Sequence, residues 1–333
     1  MVNVNAGGGA MPPYVEYGAR DTTPPPFQSN GGTFLGLALR GDPAKIDALI
    51  NRMLNEPAAG RVVYSRIGSY VVLIVGTFLQ LRATRFPEGG YVSETQLSLW
   101  VPLKARSANG EERVCLTAPY IFVDNPLSLE CGREDFGYPK SLGHFAPERW
   151  NGVSVQLKAF GGNWGYSSHA AWTQLIEIGP AVGAPFAAAL GAVPAPGAAG
   201  VAAATTPEEV AAELTRRALQ EEADAEPANL LQVLHVVLGF VKELTAGQVK
   251  QVFLKQFRDA CTPDVSCYQA VIEAPARVQN VTSSVSLRDW QLTLSNIDSH
   301  PISEELGLSS QSTRLAFEFH MDLTLELAQV VAP

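Results

Sequence analysis

What most constrains the fold is a run of strand patterns interrupted once, by a segment of different composition. "RVVYSRI" (61–67), "YVVLIVGTFLQLRA" (70–83), "TQLSLWVPLKA" (95–105) and "RVCLTAPYIFV" (113–123) follow one another, and "VSVQLKAF" (153–160) comes after them. All are rich in β-branched and aromatic residues, and turn signals such as "FPEGG" and "SANGEE" stand between them. Ahead of this run, "TFLGLALRGD" (33–42) reads as a strand. "DPAKIDALINRMLNEP" (42–57) reads as a helix, with Asp42 as N-cap, Pro43 at the first helical position and Ile46, Leu49, Ile50 and Leu54 on one face.

From about residue 179 the chain becomes biased to Ala, Gly and Pro. Thr206, Pro207 and Glu209 form a capping box there, and a helix is expected over about 228–244, with Leu230, Leu231, Leu234, Val237, Leu238 and Val241 on a broad apolar face. Strand patterns resume at "GQVKQVFLKQF" and run to the end. The expectation is a flexible Gly/Pro-rich arm over 1–30, then one domain over 31–333 interrupted by a helical insertion at 180–247. That insertion reads as a surface decoration, with a lid or an assembly element as the alternative.

With 333 residues, 46% of them hydrophobic, the chain can bury a full core. The balance of 24 basic against 33 acidic residues, with no Lys/Arg run, leaves out the electrostatic footprint of a nucleic-acid binder. The most apolar run, 70–81, is shorter than the roughly 20 residues a spanning helix needs, so a buried strand and no membrane partner are expected. The arm has neither the apolar stretch nor the basic start of a signal peptide. Cys115, Cys131, Cys261 and Cys267 are spaced as neither a disulfide scaffold nor a metal knuckle, so reduced thiols in a cytoplasmic protein without a metal are expected.

The segment that decides function is "GREDFGYPKSLGHF" (132–145). A lysine directly after proline is either a solvated turn residue or an amine held for chemistry, and by itself Pro139-Lys140 favours the first. The wider pattern changes this. "GRE" followed by "GYPKSLG" resembles the signature of the acetoacetate decarboxylase family, in which a lysine after an aromatic-proline pair forms a Schiff base with a ketone. Four further segments resemble the family in the same order: "TFLGLALRGD" and its helix, "GGYVSETQ", "FLKQFRDA" with "CYQAVIEAPARV", and "LTLSNIDSHPISEELGL".

This resemblance implies an α+β, predominantly β fold: a closed, double-layered β-cone or barrel with peripheral helices, assembled as a homo-oligomer. It implies a lyase without organic or metal cofactor, in which Lys140 is the Schiff-base lysine and Glu94, on a loop, handles protons near it. Tyr138 matches the aromatic residue of the signature. Gln80 falls near the place of a second family glutamate, one residue out of step. Arg133 either braces the turn with Glu134 or binds a carboxylate. The implied substrate is a keto acid or ketone. Decarboxylation of a β-keto acid leads; aldol or dehydration chemistry on a 2-oxo acid, or a non-catalytic binding protein, are the alternatives.

Two departures bear on mechanism. The decarboxylases have a second lysine after the reactive one, where this chain has Ser141. An ammonium about 5 Å away contributes about 3 kcal/mol at an effective dielectric near 20, so without it activation of Lys140 falls to desolvation. The family also has an arginine near the start of the first strand, where "QSNGGTF" offers Gly31 or Gly32. His144 and His300 are not demanded by the pattern, and the cysteines read as packing residues.

Overall fold

The structure, a computed structural model, describes residues 13–15, 22–181, 209, 210, 212–214, 216, 217, 247–286 and 288–332. Apolar residues at successive positions suit a strand to a wall that is dry on both sides, and β1 (Phe27–Arg40) is such a strand. Phe34 and Ala38 face one buried cluster, while Leu35, Leu37 and Leu39 face another. The strand starts at Phe27, so residues 27–30, read from sequence as part of the arm, belong to the wall.

Six further strands share this wall: β3 (Tyr70–Ala83), β4 (Val92–Ser107), β5 (Glu112–Val123), β9 (Gln248–Arg258), β10 (Ser266–Val285) and β13 (Ala316–Leu325). Their order is β5-β9-β10-β13-β1-β3-β4, and pairing of β4 with β5 closes it into a seven-stranded barrel. Where β5 meets β9 the ladder is a single parallel pair, Leu116 with Gln251. Inside, phenyl rings lie where a side chain is missing: Phe34 covers Gly76, and Phe317 covers Gly36. The barrel with its second layer is the fold expected above.

That second layer branches from β5, which pairs in parallel with β6 (Lys140–Ala146). From β6 the sheet continues through β7 (Val155–Gly161), β8 (Ala171–Pro180), β11 (Trp290–Leu294) and β12 (Gln311–Thr313). β2 (Val62–Arg66) edges the barrel beside β4, and β14 (Gln329–Ala332) pairs with β10. Leu157, Ile176 and Trp290 of the outer sheet join Leu37, Leu73 and Leu99 of the barrel in one core.

The helix expected over 42–57 is present, in three pieces. In α1 (Pro43–Ile50) the Asp42 carboxylate accepts from Ala44 N at 2.8 Å and Lys45 N at 3.2 Å. A π-turn (Asn51–Asn55) and the short α2 (Glu56–Ala58) follow. A further helix, α3 (Pro126–Phe136), occupies the segment that sequence reasoning treated as a turn. Its signals were legible: Asn125 caps the Ser128 N–H at 3.2 Å, Pro126 opens the helix, and Gly137 ends it at φ 64°. The short α4 (Ile302–Leu306) packs beside α1. Of the insertion, the described residues between 209 and 217 are helical; the helix expected over about 228–244 lies outside the described residues. Among the described residues no helix is long and apolar enough to cross a membrane.

Candidate active site

Lys140 is the first residue of β6, set beside Ile121 of β5, and its side chain enters the barrel under α3. It is 6% exposed, and Glu94 is 1% exposed. Glu94 lies on β4, opposite Phe78 of β3, not on a loop as expected from sequence. Nζ of Lys140 donates to Ser128 Oγ at 2.6 Å and to Glu94 Oε2 at 3.5 Å. The 2.6 Å contact is the shorter polar contact of the site, and sequence reasoning missed Ser128 because it missed α3.

One turn after Ser128, the same face of α3 presents Gly132. A methyl group there would come within 2.6 Å of Cδ and 2.9 Å of Cε of Lys140. Glycine leaves the channel through which the lysine stem passes, and serine one turn earlier holds its tip. Arg133, one residue on, is exposed, and its Nη1 donates to the backbone carbonyl of Lys140 at 3.0 Å. It braces the α3–β6 connection, the first of the two roles read from sequence, and lines neither cavity described below.

Two cavities meet at Lys140 and Tyr138. The outer one, about 170 Å³, lies under α3 and the Pro87–Gly89 turn, next to the exposed Tyr91. The inner one, about 100 Å³, is lined by all seven barrel strands, and Phe34, Ile74, Phe78 and Trp100 contribute rings and aliphatic groups to it. Gln96 and Gln251 bring carboxamides to this chamber.

Tyr138 stacks on Phe136 with ring centroids 5.1 Å apart, and its hydroxyl donates to Gln251 Oε1 at 2.9 Å. Burial pushes the phenol well above its ordinary range, which keeps it protonated as the donor in that bond. Cys131 lines the outer chamber beside Ser128, accepting from Thr23 N at 3.3 Å, and burial raises its thiol.

Gln80 does not reach the site. The β3–β4 register slips between Phe78 and Leu81, so Phe78 and Leu81 point inward while Leu79 and Gln80 are turned to solvent. Ser141 is also turned away from Lys140. Successive strand residues leave opposite faces, and the face shared by Ser141, Gly143 and Phe145 packs toward Phe122 and Leu157 in the outer core. A lysine at 141 would not stand next to the Lys140 amine, so the charge comparison drawn from sequence does not apply. His144 is exposed beside Trp172, and His300 is buried against Phe122, which lowers its pKa; neither lines a chamber.

No family model matches the sequence, and no curated protein matches it. Solved structures do match it in fold. Acetoacetate decarboxylase from Legionella pneumophila subsp. pneumophila str. Philadelphia 1 superposes with a TM-score of 0.51 at 15% identity, over 92% of this chain and 88% of that one. The enduracididine biosynthesis enzyme MppR, in complex with the condensation product of pyruvate and imidazole 4-carboxaldehyde, superposes with a TM-score of 0.51 at 15% identity, over 98% of this chain and 99% of that one. A further acetoacetate decarboxylase structure gives 0.50 at 12% identity, over 94% and 91% of the two chains. The chain has the acetoacetate decarboxylase-like fold.

Proposed function

We propose that the chain is a Schiff-base-forming enzyme that decarboxylates a β-keto acid through an iminium on Lys140. The observation that carries this reading is a buried amine with two acceptors, Ser128 Oγ at 2.6 Å and Glu94 Oε2 at 3.5 Å, at the meeting of two cavities. A neutral amine has two N–H bonds and one lone pair. With the N–H bonds directed at Ser128 and Glu94, the lone pair is left for a carbonyl carbon in the cavity.

Attack on the ketone gives a carbinolamine, which loses water to become the iminium. When the bond to the carboxylate breaks, its electron pair moves toward the iminium nitrogen, carbon dioxide leaves, and an enamine remains. Protonation of the enamine carbon and hydrolysis return the amine and release a ketone. Glu94 is the group within reach to move protons at the dehydration, protonation and hydrolysis steps. Tyr138, fixed through Gln251, forms the wall between the chambers against which the substrate packs. Gln80 and Arg133 have no part in this reading. The homo-oligomer expected from the resemblance stays with it and is checked by light scattering.

A second reading uses the same lysine for aldol or dehydration chemistry on a 2-oxo acid. It is favoured by MppR, which superposes as well as the decarboxylase does and holds a pyruvate condensation product. The chain also lacks the first-strand arginine of the decarboxylases, having Gly31-Gly32 there.

One experiment separates these readings. Protein is incubated with acetoacetate or pyruvate in the presence of borohydride, the adduct is located by peptide mass mapping, and carbon dioxide is measured without borohydride. The expected result is an adduct at Lys140 and carbon dioxide from the β-keto acid. An adduct without carbon dioxide selects the aldolase or dehydratase, and no adduct with any ketone selects a non-catalytic binding protein.

A further inference from the structure

The two chambers differ in charge. The outer lining has two cations, the solvent-exposed Arg82 and the buried Lys140, and no aspartate or glutamate. The inner lining has Glu94 with Lys140, no second cation, and otherwise carboxamides, rings and aliphatic groups. Arg82 has no carboxylate partner among the described residues: its Nη2 donates at 3.3 Å to the neutral Gln28 Oε1. Gln28 stands opposite Arg82 in the β1–β3 ladder.

We infer that the site sorts its substrate end from end, taking the carboxylate of an oxo acid in the outer chamber against Arg82 and the apolar substituent on the other side of its carbonyl in the inner chamber. This rests on the Schiff-base reading of Lys140, which sits at the junction and receives the carbonyl carbon. The reverse orientation would put a carboxylate beside the buried Glu94, and two like charges at a site held from water repel. In the outer chamber the same carboxylate replaces a long bond to a neutral amide with a charge-assisted one. The inner chamber, about 100 Å³, is smaller than the roughly 150 Å³ of an apolar cavity that admits benzene. Its occupant is then a short aliphatic chain, neither a bare methyl group nor a phenyl ring. The substrate class is an oxo acid with a chain of about propyl length on its carbonyl.

The test is the half-trapping concentration with borohydride, read at Lys140 by mass mapping. The probes are pyruvate and acetoacetate, with methyl on the carbonyl; 2-oxopentanoate and 3-oxohexanoate, with propyl; phenylpyruvate; and the neutral 2-pentanone. Two added methylenes give an expected advantage of about tenfold for the propyl acids over their methyl counterparts. Phenylpyruvate is expected to trap more weakly than 2-oxopentanoate. Arg82→Gln is expected to raise the half-trapping concentration of the propyl acids about tenfold more than that of 2-pentanone, with Arg82→Lys in between. Ile74→Phe, which fills the inner chamber, is expected to erase the propyl preference. Methyl and propyl acids trapping equally, or Arg82→Gln acting equally on acid and neutral ketone, overturns the inference while adducts at Lys140 still support the Schiff base. No adduct from any of the probes overturns both.

Discussion

The two faces of the barrel wall come from the same strands, one residue out of step, yet they do different work. Outward, Leu35, Leu37 and Leu39 of β1, Val71, Leu73 and Val75 of β3, and Leu97 and Leu99 of β4 form one apolar layer with α1 and the outer sheet. Inward, the same strands bring Phe34, Ile74, Phe78 and Trp100, and with them Glu94 and Gln96, around a cavity. A cavity and buried polar groups both cost stability, so the part of the inner face around the chamber contributes less than the packed layer outside it. The packed outer face, with the apolar cluster that fills the rest of the inner face, supplies the stability that lets the chamber stay open, and on these strands the candidate site is confined to residues of one parity.

The sharpest way to break the comparison is to truncate one residue on each face. Lys140→Ala is expected to abolish both borohydride trapping and turnover with little change in the unfolding midpoint. Leu37→Ala, fully buried in the outer layer, is expected to cost about 2–5 kcal/mol in urea unfolding while the folded fraction still traps substrate. If Lys140→Ala retains full rate, the inner face is not where the chemistry lies.

A smaller effect separates the two acceptors of the amine. Glu94→Gln is expected to leave imine formation in place and lower turnover by roughly 10²-fold, the range of a general acid or base. Ser128→Ala, which removes one hydrogen bond, is expected to slow imine formation by up to about tenfold. Equal effects of the two on trapping would show that Glu94 positions the amine as Ser128 does.

The pH dependence of stability tests a group that belongs to neither face. Asp135, in the last turn of α3, has a carboxyl oxygen without a hydrogen-bond partner, and burial lifts its pKa from 3.8 to about 7. The folded state therefore holds this proton more tightly than the unfolded chain does. Its contribution to stability is lost as pH rises from about 4 to about 7. Asp135→Asn is expected to match the parent near pH 4, gain on it steadily to pH 7 and keep a constant advantage above. Denaturant midpoints across that range check the sign; an advantage that does not grow with pH would place the carboxylate, charged, in a favourable contact with Lys255.

The smallest effects belong to positions that face away from the chambers. Gln80→Ala is expected to stay within about 0.5 kcal/mol of the parent and to leave turnover unchanged. Ser141→Lys is expected to lower the unfolding midpoint, by crowding the Phe122 side, without moving the pH profile of trapping. A shifted profile would mean that the two faces of β6 communicate.

Several features were legible in the residue order. The strand patterns, the Asp42 cap of α1 and the lysine after Tyr138-Pro139 follow from local chemistry: side-chain period, side-chain capping and the restraint proline places on its neighbours. The Asn125-Pro126 start and Gly137 stop of α3 are legible too, although the glycines around Lys140 point to a turn when taken alone.

What only the tertiary structure decided is which side chains meet. Glu94 is 46 residues from Lys140 in sequence and Ser128 is 12. Gln80, one residue out of step with the family pattern, is a candidate in the sequence that the slip in the β3–β4 ladder after Phe78 turns outward. Such a slip is set by how two strands pair across a closed wall, and no local pattern in either strand records it. By itself the sequence determined a mostly β chain with a lysine in the right setting. The closure of seven strands and the packing of α3 against β6 decided that this lysine would be buried, held by Ser128 and Glu94, and open to two cavities, because those contacts are made by segments that only the barrel brings together.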